Sequence, residues 1–230
     1  MRHVICNIFK LTLIILLMLP MPALAITAIN CHCFSDRSYN PANPAASDPY
    51  FLATTQNSFF ATVFNTDKKT VVMKKQLGTS PDDLWIAYWI ASKTGISPDS
   101  LLQSKLESDS WKNVVVTRGI PAKNLGTLFS NALNANRPTV RLSEAVVEDL
   151  FLNGQLLREG DLFSLRKAGA TNQELIIATV IATKTGQSAR QLFLEVRAGT
   201  KSWGSLLSRA KIDTKNMQPE ISSILNLRHQ

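Results

Sequence analysis

The chain has 230 residues, with 25 Lys and Arg against 17 Asp and Glu, and a formal net charge of +8. This length accommodates one domain, or two small ones, with a sizeable hydrophobic core. The sequence contains 3 histidines, so few are available for a Ser-His-acid triad or a multi-histidine zinc site. The basic residues are scattered, which is typical of a solvated basic surface and also suits an anionic envelope surface or an acidic partner.

Residues 1–25 have the composition of a secretory signal peptide. Arg2 and Lys10 belong to a basic start, residues 11–19 are apolar, and Ala-Leu-Ala at 23–25 precedes the expected cut. The apolar stretch is shorter than the roughly 20 residues that cross a bilayer. Loss of the two basic residues lowers the charge from +8 to +6. We therefore expect export to the periplasm or the extracellular space, a mature chain without a transmembrane helix, and no nucleic-acid partner.

Residues 26–47 predict an extended N-terminal arm. The segment carries Cys31-His32-Cys33 and then a Pro-, Ser- and Asn-rich stretch without apolar periodicity. In an oxidising compartment the two cysteines can form a local disulfide or pair between chains. Kept reduced, they can bind a soft metal ion together with His32. A catalytic redox role is less favoured, because its usual spacing is Cys-x-x-Cys.

The first helix is predicted to open at Asp48 as its N-cap, with Pro49 in the first helical position. The apolar residues that follow recur at helical spacing and form one stripe. The stripe consists of Phe51, Leu52, Thr55, Phe59, Phe60, Val63 and Phe64.

Two segments of the chain, residues 78–125 and 169–217, repeat each other. They align at a shift of 91 positions and then, after one inserted residue, at a shift of 92, with sixteen identities in all. A duplication of this kind predicts two copies of one structural unit. The predicted organisation is a signal peptide at 1–25, the arm at 26–47, a first helical half at 48–137 and a second at 138–230.

A recurring glycine punctuates the chain. Each is followed two residues later by Ser, Thr or Pro and then by Leu, which indicates a helix end followed at once by a helix start. Ser80 with Asp83, and Thr171 with Glu174, are predicted capping boxes. The glycines in this pattern are Gly78, Gly95, Gly119, Gly169 and Gly186.

Residues 84–92 and 175–183 are apolar on nearly all sides, which predicts two central helices. Further helices are predicted with Ser143 as N-cap and Gly154 as end, near residues 161–168, and from Pro219 onward. No convincing alternating strand pattern is present. The predicted fold class is all-α: two tandem copies of a short-helix repeat unit, packed as a compact helical array behind an irregular N-terminal arm.

Some duplicated residues are candidates for binding. Trp111 and Trp203 each follow a serine that caps a helix, and their rings either anchor equivalent helices or offer stacking platforms for a sugar or peptide. The Lys-Asn pairs have no capping role, so they are either exposed first-turn residues or two copies of a ligand contact. The candidate binding residues are Trp111, Lys123, Asn124, Trp203, Lys215 and Asn216.

The sequence favours an exported all-α repeat protein that acts as a binding or scaffolding module for an unidentified protein or envelope component, and no organic cofactor is predicted. A metal-binding or thiol-redox protein centred on Cys31, His32 and Cys33 is one alternative. A hydrolase of envelope material that uses carboxylates such as Glu107, Glu148 and Asp149 is another. Helix-surface charge is the structural alternative for these carboxylates.

Overall fold

The computed structural model describes residue 34 and residues 36–226. Within them the chain forms twelve α-helices and one short 3₁₀ helix and no strand, which confirms the all-α prediction. None of these helices combines the length and apolarity that a bilayer crossing requires. The first half contains α1 (Asp48–Val63), α2 (Lys68–Gln76), α3 (Pro81–Thr94), α4 (Pro98–Leu106), α5 (Trp111–Thr117), the 3₁₀ helix (Ala122–Asn124) and α6 (Thr127–Asn134). The second contains α7 (Thr139–Asn153), α8 (Glu159–Lys167), α9 (Asn172–Thr185), α10 (Ala189–Arg197), α11 (Trp203–Arg209) and α12 (Met217–Asn226).

The predicted helix ends are formed by local hydrogen bonds. The five punctuating glycines all have positive φ, the conformation that closes a helix and that glycine adopts without strain. Thr171 and Glu174 form a complete capping box. At Ser80 only half of the box exists, because the Asp83 carboxylate accepts the indole N–H of Trp111 at 2.7 Å instead.

Some helix starts differ from the prediction. Asp48 is the first residue of α1 and not its N-cap, and its carboxylate caps the start of α11 instead. Helix α7 begins at Thr139, so Ser143 lies inside it and donates to Val140 O and to Asp82. Helix α12 begins two residues before Pro219. At Asp48 and Ser143 the error has one cause, since each polar side chain taken for a local cap has a partner distant in sequence.

The helix bounds of the two halves correspond over a longer range than the sequence identities. At a shift of 91 positions α1 to α4 begin where α7 to α10 begin, and at a shift of 92 α5 matches α11. The identities start at Gly78, but the correspondence already holds at Asp48 and Thr139. Helix α2, which the sequence analysis did not predict, is therefore the counterpart of α8.

The first helix of each half packs against the other half. Helix α1 lies along α9, and α7 lies along α3. In the same way α12 packs on α1, and α6 packs on α7. The described part of the chain belongs to one compact unit with a hydrophobic core that draws on both halves.

Aromatic side chains of α1 occupy the centre of this core. The Phe60 ring lies 4.7 Å from the Trp85 ring of α3, and the Phe59 ring lies 5.6 Å from the Phe151 ring of α7, measured between centroids. In α3 every residue from Leu84 to Ile90 is buried, as is every residue from Leu175 to Ile181 in α9. Both segments are the central helices that their apolar composition predicts.

A buried carboxylate sets the position of α6. Asp149 of α7 accepts the backbone N–H groups of Leu128 and Phe129 at 3.1 and 2.9 Å, where the first turn of α6 has donors without helical partners. Gly126 precedes them with φ 94° and ψ 155°, a region used almost solely by glycine. A Cβ there would collide with the Asp149 carboxylate and lie 3.0 Å from the Trp89 ring.

We expect Gly126→Ala to lower the free energy of unfolding by about 3 kcal/mol or more, because it combines backbone strain with a steric clash. Gly78→Ala is the matched control: Gly78 has φ 95°, but a Cβ there meets nothing within 4 Å. Its expected loss is about 1 kcal/mol, from backbone strain alone. Urea unfolding followed by circular dichroism measures both, and equal losses would contradict the role given to Asp149.

Candidate functional site

The predicted metal or disulfide residues Cys31, His32 and Cys33 lie outside the described residues. Among those that are described, no group of three His, Cys, Asp or Glu side chains is placed to hold a metal ion. The metal and thiol roles of Cys31, His32 and Cys33 stay predictions.

The two repeated tryptophans are core residues. Trp111 and Trp203 are 1% and 2% exposed, so in this conformation neither ring offers a face to a ligand. Each begins a short helix, α5 or α11, capped by the preceding serine. Two N–H groups at the start of α11, those of Trp203 and Gly204, also donate to Asp48 at 3.0 and 2.8 Å.

The repeated Lys-Asn pairs lie nearer the surface than the tryptophans. Lys123 and Asn124 lie in the 3₁₀ helix before α6. Lys215 and Asn216 follow Asp213, whose carboxylate accepts the backbone N–H of Lys215 and the side-chain N–H of Asn216 at 2.9 and 2.7 Å. These bonds hold the pKa of Asp213 below its usual value. Their role as ligand contacts stays a prediction.

The candidate catalytic carboxylates have structural partners. Glu148 pairs with Arg166 at 2.8 Å, and Arg166 also donates to Ala170 O and Asn172. Burial raises the pKa of Glu148, and the Arg166 charge opposes that rise. Asp149 caps α6 as described above, and Glu107 accepts from Gln103 one turn earlier in α4. Glu148 and Asp149, although adjacent in sequence, therefore bind different elements and do not face a common cleft.

The polar residues in the middle of α1 are enclosed by neighbouring helices. Residues 54–58 are all buried, and five successive helical residues point in every direction, so α1 is covered on all sides. Two lysines of α2 reach this segment: Lys68 donates to Thr54 Oγ1 at 2.7 Å and Lys75 to Asn57 Oδ1 at 2.6 Å. Across the helix, Gln173 of α9 donates to Gln56 at 3.0 Å. This row is a set of interhelical contacts that the apolar pattern did not reveal.

An exposed apolar surface lies on three helices of the first half. Leu77 and Leu106, at the C-terminal ends of α2 and α4, are each 83% exposed, and Val116 of α5 is 70% exposed. They are the three most exposed large apolar side chains among the described residues. We call this set, Leu77, Leu106 and Val116, the apolar surface.

Side-chain contacts link the three helices that carry the apolar surface. An ion pair between Lys74 and Asp99 joins α2 to α4. Arg118, at the end of α5, donates to Ser100 and Ser104 of α4 at 3.1 and 2.6 Å. Lys69 of α2 is exposed and Lys105 directly precedes Leu106, whereas Lys68 and Lys75 donate to α1. The surface therefore combines protruding apolar side chains with positive charge.

The corresponding positions of the second half differ. Leu77, Leu106 and Val116 correspond to Ala168, Arg197 and Ser208. The second half exposes Phe163 of α8 instead, at 68%, and its counterpart in α2 is the smaller, partly buried Val72. Two halves with matching helices thus present different surfaces to solvent.

Comparison with protein-family models, with curated proteins and with solved structures finds no match.

Lys75, the α2 lysine that contacts Asn57, makes the free energy of unfolding depend on pH. Burial lowers the pKa of Lys75 to about 8, and the Asp82 charge opposes this shift. In an unfolded chain lysine titrates near 10.4, so between roughly pH 8 and 10.4 the unfolded chain binds more protons than the folded one. The free energy of unfolding contributed by this residue therefore rises with pH in that window.

We expect this contribution to add about 2 kcal/mol to the free energy of unfolding between pH 7 and pH 10. Lys75→Met should remove it, whereas Lys69→Met, at an exposed position of the same helix, should keep it. Urea unfolding of the three proteins at successive pH values tests this. The same pH dependence in both variants would show that Lys75 is not its source.

Proposed function

We propose that this chain is an exported all-α binding module whose partner in the envelope contacts the apolar surface of the first half. The observation that carries the proposal is the high exposure of Leu77 and Leu106 beside lysines. Single exposed apolar residues are ordinary on soluble proteins. Three of them on helices linked by side-chain contacts, with Ala, Arg and Ser at the equivalent positions of the second half, favour a contact surface.

Charge supports the choice of partner. Without residues 1–25 the chain has a net charge of +6, and Lys69 of α2 is exposed. The other α2 lysines have partners within the protein: Lys68 and Lys75 donate to α1, and Lys74 pairs with Asp99. A partner with acidic groups around an apolar centre complements this arrangement, because opposite potentials steer association while apolar burial supplies affinity.

A binding role also agrees with the state of the polar groups inside the fold. Asp48, Asp83 and Asp149 bind helix ends or an indole of other elements. Glu148 is held by an arginine. These carboxylates are bound to structural partners, whereas a carboxylate-based hydrolase needs carboxylates that are free to contact its substrate.

Site-specific photo-crosslinking tests the partner surface. A photoreactive side chain is placed at position 77 or 106 of the full chain in its own envelope. Control probes are placed at the equivalent positions 168, which is partly buried, and 197, which is exposed. We expect a discrete crosslinked product from 77 and 106 and none from 168 and 197. Products of equal yield from all four positions, or none from 77 and 106, would refute the proposal.

A surface exchange gives the size of the effect. Leu77→Ala with Leu106→Arg installs the second-half residues in the first half, and we expect partner retention to fall about tenfold because the apolar contact is removed. Circular dichroism must show unchanged helix content. The reverse exchange, Ala168→Leu with Arg197→Leu, is the control and should not weaken retention.

Export is tested by the mature N-terminus. We expect protein recovered from the envelope fraction to begin near Ile26, because Ala-Leu-Ala offers small residues before the cut. Mass spectrometry of the intact chain measures it. A product that retains Met1 and stays in the cytoplasm would remove the export proposal.

A further inference from the structure

A cleft of about 400 Å³ lies where the C-terminal parts of α1, α3 and α7 meet. This volume falls within the range of roughly 300–1,000 Å³ typical of small-molecule sites. The walls are mostly apolar, and α12 contributes one of them. The apolar residues lining the cleft are Phe59, Val63, Trp89, Leu150, Leu156 and Leu225.

Two walls of the cleft come from equivalent helices of the two halves, and the third wall comes from a helix whose counterpart carries a different side chain. Phe59, Thr62 and Val63 of α1 correspond to Leu150, Asn153 and Gly154 of α7, and both sets line the cleft from opposite sides. The third wall comes from α3 with Trp89. Its counterpart in α9, Val180, lines a void of only about 10 Å³. The fold is therefore closed on the α9 side and open on the α3 side.

One cation lies at this open side. Lys93 of α3 lines the cleft and holds its ammonium group 4.4 Å from the centre of the Trp89 ring. Among the described residues no carboxylate lies within ion-pair distance of Lys93 and none lines the cleft. Its counterpart Lys184 is neutralised by Glu220 at 3.1 Å. The duplicated lysine is thus paired in one half and available to a ligand in the other.

The Trp89 indole is 2% exposed and forms the buried floor beneath the lysine. The Trp89 N–H donates to the Leu125 carbonyl at 2.5 Å, so the polar atom of the ring is used inside the protein. Lys93 lies in the last turn of α3, where the negative end of the helix dipole stabilises an ammonium ion. An apolar cavity with one fixed cation at its rim selects a ligand with an apolar body and one anionic group.

We propose that the cleft binds a single-chain amphiphile with a carboxylate head, of the fatty-acid type. Its chain lies against Val63, Leu150 and Leu225, and its carboxylate meets the Lys93 ammonium. This site is separate from the apolar surface of α2, α4 and α5, so the amphiphile proposal is tested independently of the partner-binding proposal.

Calorimetric titration with decanoate tests the site, with the protein as purified from the cells that produce it. Decanol and decyltrimethylammonium are the neutral and cationic probes of the same chain length. We expect decanoate to bind more tightly than either. Lys93→Met keeps the apolar stem and removes the charge, and it should weaken decanoate about tenfold without changing decanol. Lys184→Met is the matched control and should change neither.

A second variant tests the cavity itself. Val63→Phe fills the cleft and should weaken decanoate and decanol alike, with unchanged helix content. Equal binding of decanoate and decanol, the same effect from Lys184→Met as from Lys93→Met, or no decanoate binding would each overturn the proposal. So would a change of oligomeric mass on Val63→Phe, measured by sedimentation, since a second copy of the chain would then be the occupant.

Discussion

The structure depends on the exchange of first helices between the two halves. Helices α3 and α9 are apolar around their whole circumference, so the short helices of their own half leave part of each uncovered. That part is covered by α7 on α3 and by α1 on α9. A repeat unit of this kind does not bury its apolar face alone, and the stacked pair does. The halves are consequently parts of one core and not two independent domains.

The two halves have helices at corresponding positions, but equivalent side chains make different contacts. Asp149 caps α6, and its counterpart Ser58 is buried with a hydroxyl group that has no hydrogen-bond partner among the described residues. Asp83 accepts an indole N–H, whereas Glu174 completes a capping box. Lys93 lies over a tryptophan ring, whereas Lys184 forms an ion pair. The Asp83 and Lys93 pairs lie in the first and last turns of their helices, whereas Asp149 and Ser58 lie within α7 and α1.

This divergence links the fold to both proposed binding features. The apolar surface on α2, α4 and α5 is not repeated on α8, α10 and α11. The cleft is open beside Trp89, and the space at Val180 is almost closed. In each case the second half has helices at the equivalent positions without the feature. The chain therefore contains its own controls for tests of binding.

Local sequence patterns specify many of the helix ends and the buried helices. Glycine at a helix end, Ser or Thr at a start and an acidic residue three positions later act through bonds that span a few residues, so their positions could be read directly. The buried character of residues 84–90 and 175–181 also followed from composition. Tertiary structure alone decided which helix packs on which, and so the partners of Asp48, Ser143 and Asp149. The cleft at Lys93 and the enclosed polar row of α1 have the same origin. These contacts join residues far apart in the chain, and no local pattern encodes which distant backbone a carboxylate or a lysine will meet.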